Sequence, residues 1–265
     1  MQTQRTIVVT GAGSGIGAAA MQVAAARGWR AIGVDIANAE IAVDLSDPHD
    51  RKTLKDRIAA VAGESIDAVA ASAGVSGGNS VGSVAVNFFG ARDTLLQLQP
   101  LLAKGRDPRA VLVGSIAALS PVHDELMDAC LEGNEPVALR LAEVHAGYAT
   151  SKAALRDWLR ANASTAAWAG AGILLNAVAP GTIETPMLAP FIKTDEQRQD
   201  IFARYPNPLR RNGEATEVAR ALIWLASPEN SFMVGQHIYI DGGYDAARAA
   251  EEARSWADLP HETAG

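Results

Sequence analysis

Tyr148 and Lys152 stand four positions apart in the run YATSK, a spacing that puts a phenol and an ammonium on one face of a helix. The chemistry open to such a pair is acid–base. A phenol titrates near 10, so acting as a base near neutrality requires lowering that value by about three units, about 4 kcal/mol. One ammonium at about 4 Å supplies that order at an effective dielectric of about 20. Alone, the spacing is commonplace, because Tyr and Lys at helical separation usually share a solvated face. Two further residues could join them: Ser115 closes the run VLVGS, and Asn87 lies in VNFFG. Read singly, Ser115 is a strand-end hydroxyl and Asn87 a helix-kinking or buried amide.

A second group of residues suits an anion. Thr10 to Gly17 reads TGAGSGIG, where the first apolar run gives way to an Ala-rich segment. Glycines at a strand-to-helix turn let the backbone bend sharply and approach a pyrophosphate, while the helix N-terminus offers free N–H groups and positive dipole. Gly11, Ser14, Gly15, Ile16 and Gly17 are the expected contacts. Asp35 ends the second apolar run eighteen positions after Gly17, where a carboxylate can hold the adenosine ribose hydroxyls. A fixed carboxylate within about 4 Å of a 2′-phosphate costs roughly 1–4 kcal/mol. Ser14 and Ile36 also stand where an Arg would be needed to grip that phosphate, so the reading is NAD rather than NADP. Asp44 and Leu45 follow the third apolar run; there the acid either meets the adenine amine or caps the next helix.

Elements must carry these groups to one place. Short apolar runs at Thr6–Thr10, Arg30–Asp35, 41–44, 67–72, 110–115, 173–179 and 236–241 read as seven buried strands. Segments of helical period over 15–27, 48–61, 84–102, 147–169 and 214–226 alternate with them, the pattern of helices crossing over a parallel sheet. The fold class is therefore α/β: a single-domain, doubly wound, Rossmann-type parallel sheet. Gly28 after the first helix, Ser46 and Asp47 before the second and Pro228 after the last are physical stop and cap signals.

Two stretches break the rhythm. Residues 117–146 separate a strand from the Tyr148 helix by about thirty residues, against the two to six usual for such a connection. Pro121, Gly133 and Pro136 punctuate short amphipathic pieces there, which predicts an inserted helical excursion. Residues 180–213 hold Met187, Leu188, Phe191, Ile192, Phe202 and Tyr205, as would a substrate loop closing over a site or a surface loop packed by its own side chains. The tail, 245–265, is charged and Ala-rich without a clear apolar stripe.

Composition narrows the partners. The 265 residues are 48% hydrophobic and carry a formal charge of −7, enough apolar material for one large core and the wrong sign for a nucleic-acid footprint. Cys130 is the single cysteine, and His49, His123, His145, His237 and His261 are scattered, so neither a disulfide framework nor a metal site is expected. No signal sequence and no apolar run of membrane-spanning length is visible, so the expectation is a soluble cytoplasmic protein without a membrane partner.

Taken in order, TGxxxGxG from Thr10, Asn87, Ser115, YxxxK from Tyr148, and Pro180-Gly181 with Thr185 resemble the short-chain dehydrogenase/reductase family from Arg5 to about Tyr244. The resemblance implies a catalytic set of Asn87, Ser115, Tyr148 and Lys152. Ser115 would orient the substrate oxygen, Tyr148 would exchange its proton, Lys152 would lower the phenol and hold the nicotinamide ribose, and Asn87 would position a water beside Lys152. It also implies cofactor contacts from Ala73, Gly74, Pro180, Gly181, Ile183 and Thr185. Where many relatives carry Asn-Asn-Ala-Gly, this chain has Ala71, Ser72, Ala73 and Gly74, which removes a backbone-bracing asparagine.

The gap of thirty-three positions between Ser115 and Tyr148 is far wider than is common in the family. It is similar to that of the bacterial 3α-hydroxysteroid dehydrogenase/carbonyl reductase subgroup, as are Asp35-Ile36, VNFFG, the run PGTIETP from Pro180 and IDGG from Ile240. This resemblance implies a hydrophobic, cyclic secondary alcohol or ketone of steroid or terpenoid type, in a pocket lined from the insertion and the 187–205 loop. Because the Tyr148 helix packs against a neighbouring subunit in relatives, the insertion predicts a homodimer in place of a tetramer. The competing readings are a ketoacyl-type reductase, which would prefer NADPH and a base near Asp35, and a catalytically silent NAD-sensing protein, which would not need all four catalytic residues. An enoyl reductase would separate Tyr and Lys more widely.

Overall fold

The computed structural model describes residues 4–76 and 78–257. Consecutive apolar residues form strands here because both faces of the sheet are covered. β1 (Thr6–Thr10), β2 (Arg30–Asp35), β3 (Ile41–Ala42), β4 (Ala68–Ala71), β5 (Arg109–Val113), β6 (Leu174–Pro180) and β9 (His237–Ile240) form a parallel sheet in the order β3-β2-β1-β4-β5-β6-β9. A separate two-stranded ladder joins β7 (Ile183–Glu184) to β8 (Gly213–Glu214). The chain winds outward from β1 to β3 and returns to β4, so a crevice opens beyond the strands' carboxyl ends between β1 and β4. Open α/β sheets bind their ligands at such switch points.

Alternation along the strands feeds two cores. Ile7, Val9, Val111 and Val178 pack with Ala20 of α1 (Gly15–Ala26) and Leu222 and Ile223 of α9 (Ala215–Leu225). On the opposite face Val8, Ile32, Val69, Leu112 and Leu175 meet α2 (Pro48–Ala62), α4 (Ala91–Leu102) and α7 (Gly147–Asn162). Asp47 caps α2 by accepting from the His49 amide, while Asp44, one turn earlier, accepts instead from both the amide and hydroxyl of Ser46. Among the described residues no helix is long and apolar enough to cross a membrane.

The predicted boundaries differ in physically readable ways. β3 stops at Ala42, before the expected 44, because the Asp44 amide turns to the Asp50 carboxylate. The helix expected over 84–102 begins earlier, at α3 (Ser80–Gly82), whose entry is capped by Asn79 accepting from the Gly82 amide. It widens into a π-helical stretch at Ser83–Gly90 before α4, an irregularity common at functional positions. α7 ends at Asn162, not 169; the Thr165 amide turns back to the Asn162 carbonyl, and Trp168 folds under to meet the Trp158 ring edge-on.

The charged, Ala-rich tail begins as a helix. α10 (Tyr244–Ala257) starts where both carboxylate oxygens of Asp241 accept, from the Gly243 and Asp245 amides. The remaining tail positions, 258–265, lie outside the described residues.

The insertion folds as two helices, α5 (Asp124–Leu131) and α6 (Glu135–Ala142). Leu126, Ala129, Cys130, Ala138 and Ala142 enter the same core layer as Leu155, Trp158 and Leu159 of α7. Arg51, fully buried on α2, donates to Asp93 on α4, to Glu135 on α6 and to the Leu45 carbonyl. One guanidinium thus ties the insertion to the body of the domain.

Candidate active site

α7 delivers Tyr148 in its first turn and Lys152 one turn later, and the end of β5 delivers Ser115. Ser115 is extended, and its hydroxyl accepts from the Ala117 amide at 3.1 Å, which leaves its hydrogen to donate into the cleft. The Tyr148 phenol shares the cleft with Ser115, whose hydroxyl acts to lower its pKa. Burial nevertheless raises the phenol above its ordinary value; Ser115 opposes this and the nearby Tyr205 hydroxyl adds to it. The sequence led to a lowered phenol, and the correction is physical: desolvation of the phenolate outweighs its stabilisation in the protein alone.

Lys152 is buried, donates 2.8 Å to the Val113 carbonyl, and is held down to about 8 by desolvation. Asn87, fully buried in the π-helical stretch, accepts from the Val75 amide at 2.8 Å and donates to the Val75 carbonyl at 3.1 Å. Its amide braces the loop after β4. Thr10 Oγ1 supports the same loop by accepting from the Ser72 and Ala73 amides, both at 3.1 Å. These two side chains supply the bracing that the missing asparagine would have given. Asn87 and Lys152 meet across Gly74, where a Cβ would lie 3.0 Å from Asn87 Oδ1 and 3.9 Å from Lys152 Nζ.

At the other end, α1 begins without a side-chain cap on Ser14 and without an acid in its first turn, so its leading N–H groups are free for an anion. The turn is tight enough that a Cβ on Gly17 would sit 2.0 Å from the Gly11 carbonyl oxygen. Asp35 is fixed at the end of β2, accepting from the Gly13 amide at 2.9 Å and the Ile36 amide at 2.7 Å. Asp44 Oδ1 is taken by Ser46, and those bonds hold its carboxyl below the usual range.

These groups line one cleft of about 1170 Å³. Gly11, Ser14, Gly15, Ile16, Gly17, Asp35, Asp44 and Leu45 form one end; Ala73, Gly74, Asn87, Ser115, Tyr148 and Lys152 the middle. Pro180, Gly181, Ile183 and Thr185 border it from beyond β6. Met187, Leu188, Phe191 and Tyr205 close the far side, whereas Ile192 is buried and Phe202 does not reach the cleft. The insertion contributes only its ends, Ala117, Ser120 and Ala146. The expectation of a pocket lined by its helices is corrected: α5 and α6 turn their apolar faces into the core. Tyr244 and Arg204, not singled out in the sequence, also line the cleft. Tyr244 directly follows the IDGG run, the one signal that could have pointed to it.

Comparison with known proteins gives the family. Residues 136–245 match the family model described as enoyl-(acyl carrier protein) reductase. The chain is 36% identical to the 3-alpha-hydroxysteroid dehydrogenase/carbonyl reductase of Comamonas testosteroni, over 91% of this chain and 96% of that one. It is 32% identical to the galactitol 2-dehydrogenase (L-tagatose-forming) of Cereibacter sphaeroides, over 89% and 93%. The 3-alpha-hydroxysteroid dehydrogenase from Pseudomonas sp. B-0831, solved in complex with NADH, superposes with a TM-score of 0.86 at 39% identity, covering 93% of this chain and 99% of that one. The chain belongs to the short-chain dehydrogenase/reductase family and is an oxidoreductase acting on CH–OH donors.

The residues present fit a nicotinamide dinucleotide. The uncapped α1 terminus suits a pyrophosphate, the fixed Asp35 carboxylate suits ribose hydroxyls, and the Gly74 gap leaves room beside Lys152.

Proposed function

We propose that the chain interconverts a hydrophobic, cyclic secondary alcohol of steroid or terpenoid type and its ketone, using NAD(H). The observation that carries this reading is the convergence of Ser115, Tyr148 and Lys152 in one cleft whose opposite end presents Asp35 to the adenosine position. The bound nicotinamide supplies the hydride acceptor or donor. Ser115 donates to the substrate oxygen and orients it against Tyr148 Oη, which takes the alcohol proton or returns one to the ketone. Lys152, anchored on Val113, holds positive charge under that site. Met187, Leu188 and Phe191 exclude water around the reacting carbon.

The activities named for the 36%-identical relative and for the 39%-identical solved structure support the alcohol class. Tyr148→Phe tests the reading. It should cut kcat by about 10²–10⁴ while NADH binding, followed by fluorescence, stays nearly unchanged; retained turnover would overturn it. The ketoacyl alternative would show as a preference for NADPH and acyl thioesters, and a silent NAD sensor as binding without turnover of any alcohol. A homodimer in a reducing cytoplasm completes the reading, supported by the insertion covering α7 and by the buried free thiol of Cys130. Light scattering of the purified protein measures the mass directly.

A further inference from the structure

The charges lining the cleft divide by place. Asp35 and Asp44 stand at the adenosine end and Lys152 is buried beneath the middle, which leaves Arg204 as the one solvent-reached cation among the described lining residues. Arg204 ends α8 (Asp195–Arg204), next to Tyr205 and on the same helix as Ile201, both of which also line the cleft. Among the described residues it makes no hydrogen bond or ion pair, although Asp195, Glu196 and Asp200 share its helix. Its neighbours on the same connection behave otherwise: Arg198 reaches Glu184 and Arg211 pairs with Glu217, both outside the cleft. A chain of formal charge −7 does not draw anions by its overall field, so an anionic ligand here needs a local cation.

We infer that Arg204 binds an anionic group on the substrate, so that the preferred substrate is a cyclic secondary alcohol carrying a carboxylate away from its hydroxyl. This rests on the alcohol-oxidation reading above and adds a specificity-determining residue to it. Apolar Met187, Leu188 and Phe191 cover the ring while the guanidinium, which presents a planar fork to a carboxylate, holds the far end. Tyr205 and Tyr244, edge to face at 6.0 Å, wall the space between.

The test uses matched pairs: a 3α-hydroxysteroid ending in a carboxylate and its methyl ester, and cis-4-hydroxycyclohexanecarboxylate and its methyl ester. Each is assayed as an NAD-linked substrate of the full chain and titrated calorimetrically against NADH-loaded protein. The wild type should favour at least one acid over its ester by about tenfold in kcat/KM or affinity, the size of a charge-assisted hydrogen bond. Arg204→Gln should abolish that preference by raising the KM for the acid far more than the KM for the ester, while Arg198→Gln, outside the cleft, should keep both the preference and the ester turnover of the wild type. Equal handling of acid and ester in both pairs, or a Gln variant that loses both alike, would overturn the inference. Ester turnover alone reports on the alcohol reading, and the calorimetric ratio reads out Arg204 even where turnover is absent.

Discussion

Lys152 donates 2.8 Å to the carbonyl of Val113, two residues ahead of Ser115 on the same chain end. The ammonium is therefore positioned by the strand that also positions the serine, and α7 and β5 hold the site as one unit. Fixing it there has a cost, since burial lowers the Lys152 amine to about 8. Its value is about 10.4 in an unfolded chain. Between these values the unfolded state binds more protons, so stability rises with pH through that window; below about 8 the full desolvation penalty is present.

Lys152→Met should therefore abolish turnover and stabilise the fold near neutrality. The gain at pH 7 should be roughly 1–3 kcal/mol: each pKa unit of depression is worth about 1.4 kcal/mol, and the freed Val113 carbonyl offsets part of it. Urea unfolding of the two proteins measures it, and a variant no more stable than the wild type would refute the assignment.

His237 opens β9 with its ring packed where a Cβ on Gly114 would sit, 2.5 Å from the Nε2 position, and neither ring nitrogen has a partner among the described residues. Burial, then the charges of Arg156, Arg160 and Lys152, push it down to about 4, with Asp157 opposing. A histidine depressed below its free value of about 6.5 costs stability as pH falls from that value toward about 4. At pH 4.5 this contributes roughly 2–3 kcal/mol of destabilisation. His237→Leu should lose that much less between pH 7 and 4.5 than the wild type does, as read by chemical unfolding at both pH values.

Glu135 ties the insertion to Arg51, whose guanidinium also holds the Leu45 carbonyl at the adenosine end of the cleft. Removing one partner of a buried ion pair costs about 3–5 kcal/mol. Because Asp93 stays in place, Glu135→Ala should cost about 2–4 kcal/mol and raise the KM for NAD with little change in kcat. Steady-state kinetics beside urea unfolding would show it. An unaltered KM would mean that the network is purely structural.

The proposed role of Asp35 is to set cofactor choice by charge. Asp35→Ser should narrow the ratio of kcat/KM for NAD over NADP by about tenfold or more, mainly through KM for NADP. A wild type that already prefers NADP would contradict the role.

The glycine turn, Asp35, Ser115 and the Tyr148–Lys152 pair were legible in the sequence because their placement depends on local rules: where a strand ends, where a helix begins, and which residues a helical turn brings to one face. Seven strands and the insertion followed from the same short-range periodicity. Other features depend on what packs against what. Asn87 turned to brace Val75 because the π-helical stretch aims it there, and the insertion joined the core because its helices found α7 and the π-helical stretch to cover. Tyr148 is raised where spacing led to a lowered value, because spacing carries the neighbouring charge but not the loss of water. The sequence by itself determined which groups are present and on which elements. Only the tertiary structure decided which of them are desolvated, which are paired, and that Arg204 is left facing the cleft, because burial is a property of all the surrounding elements together.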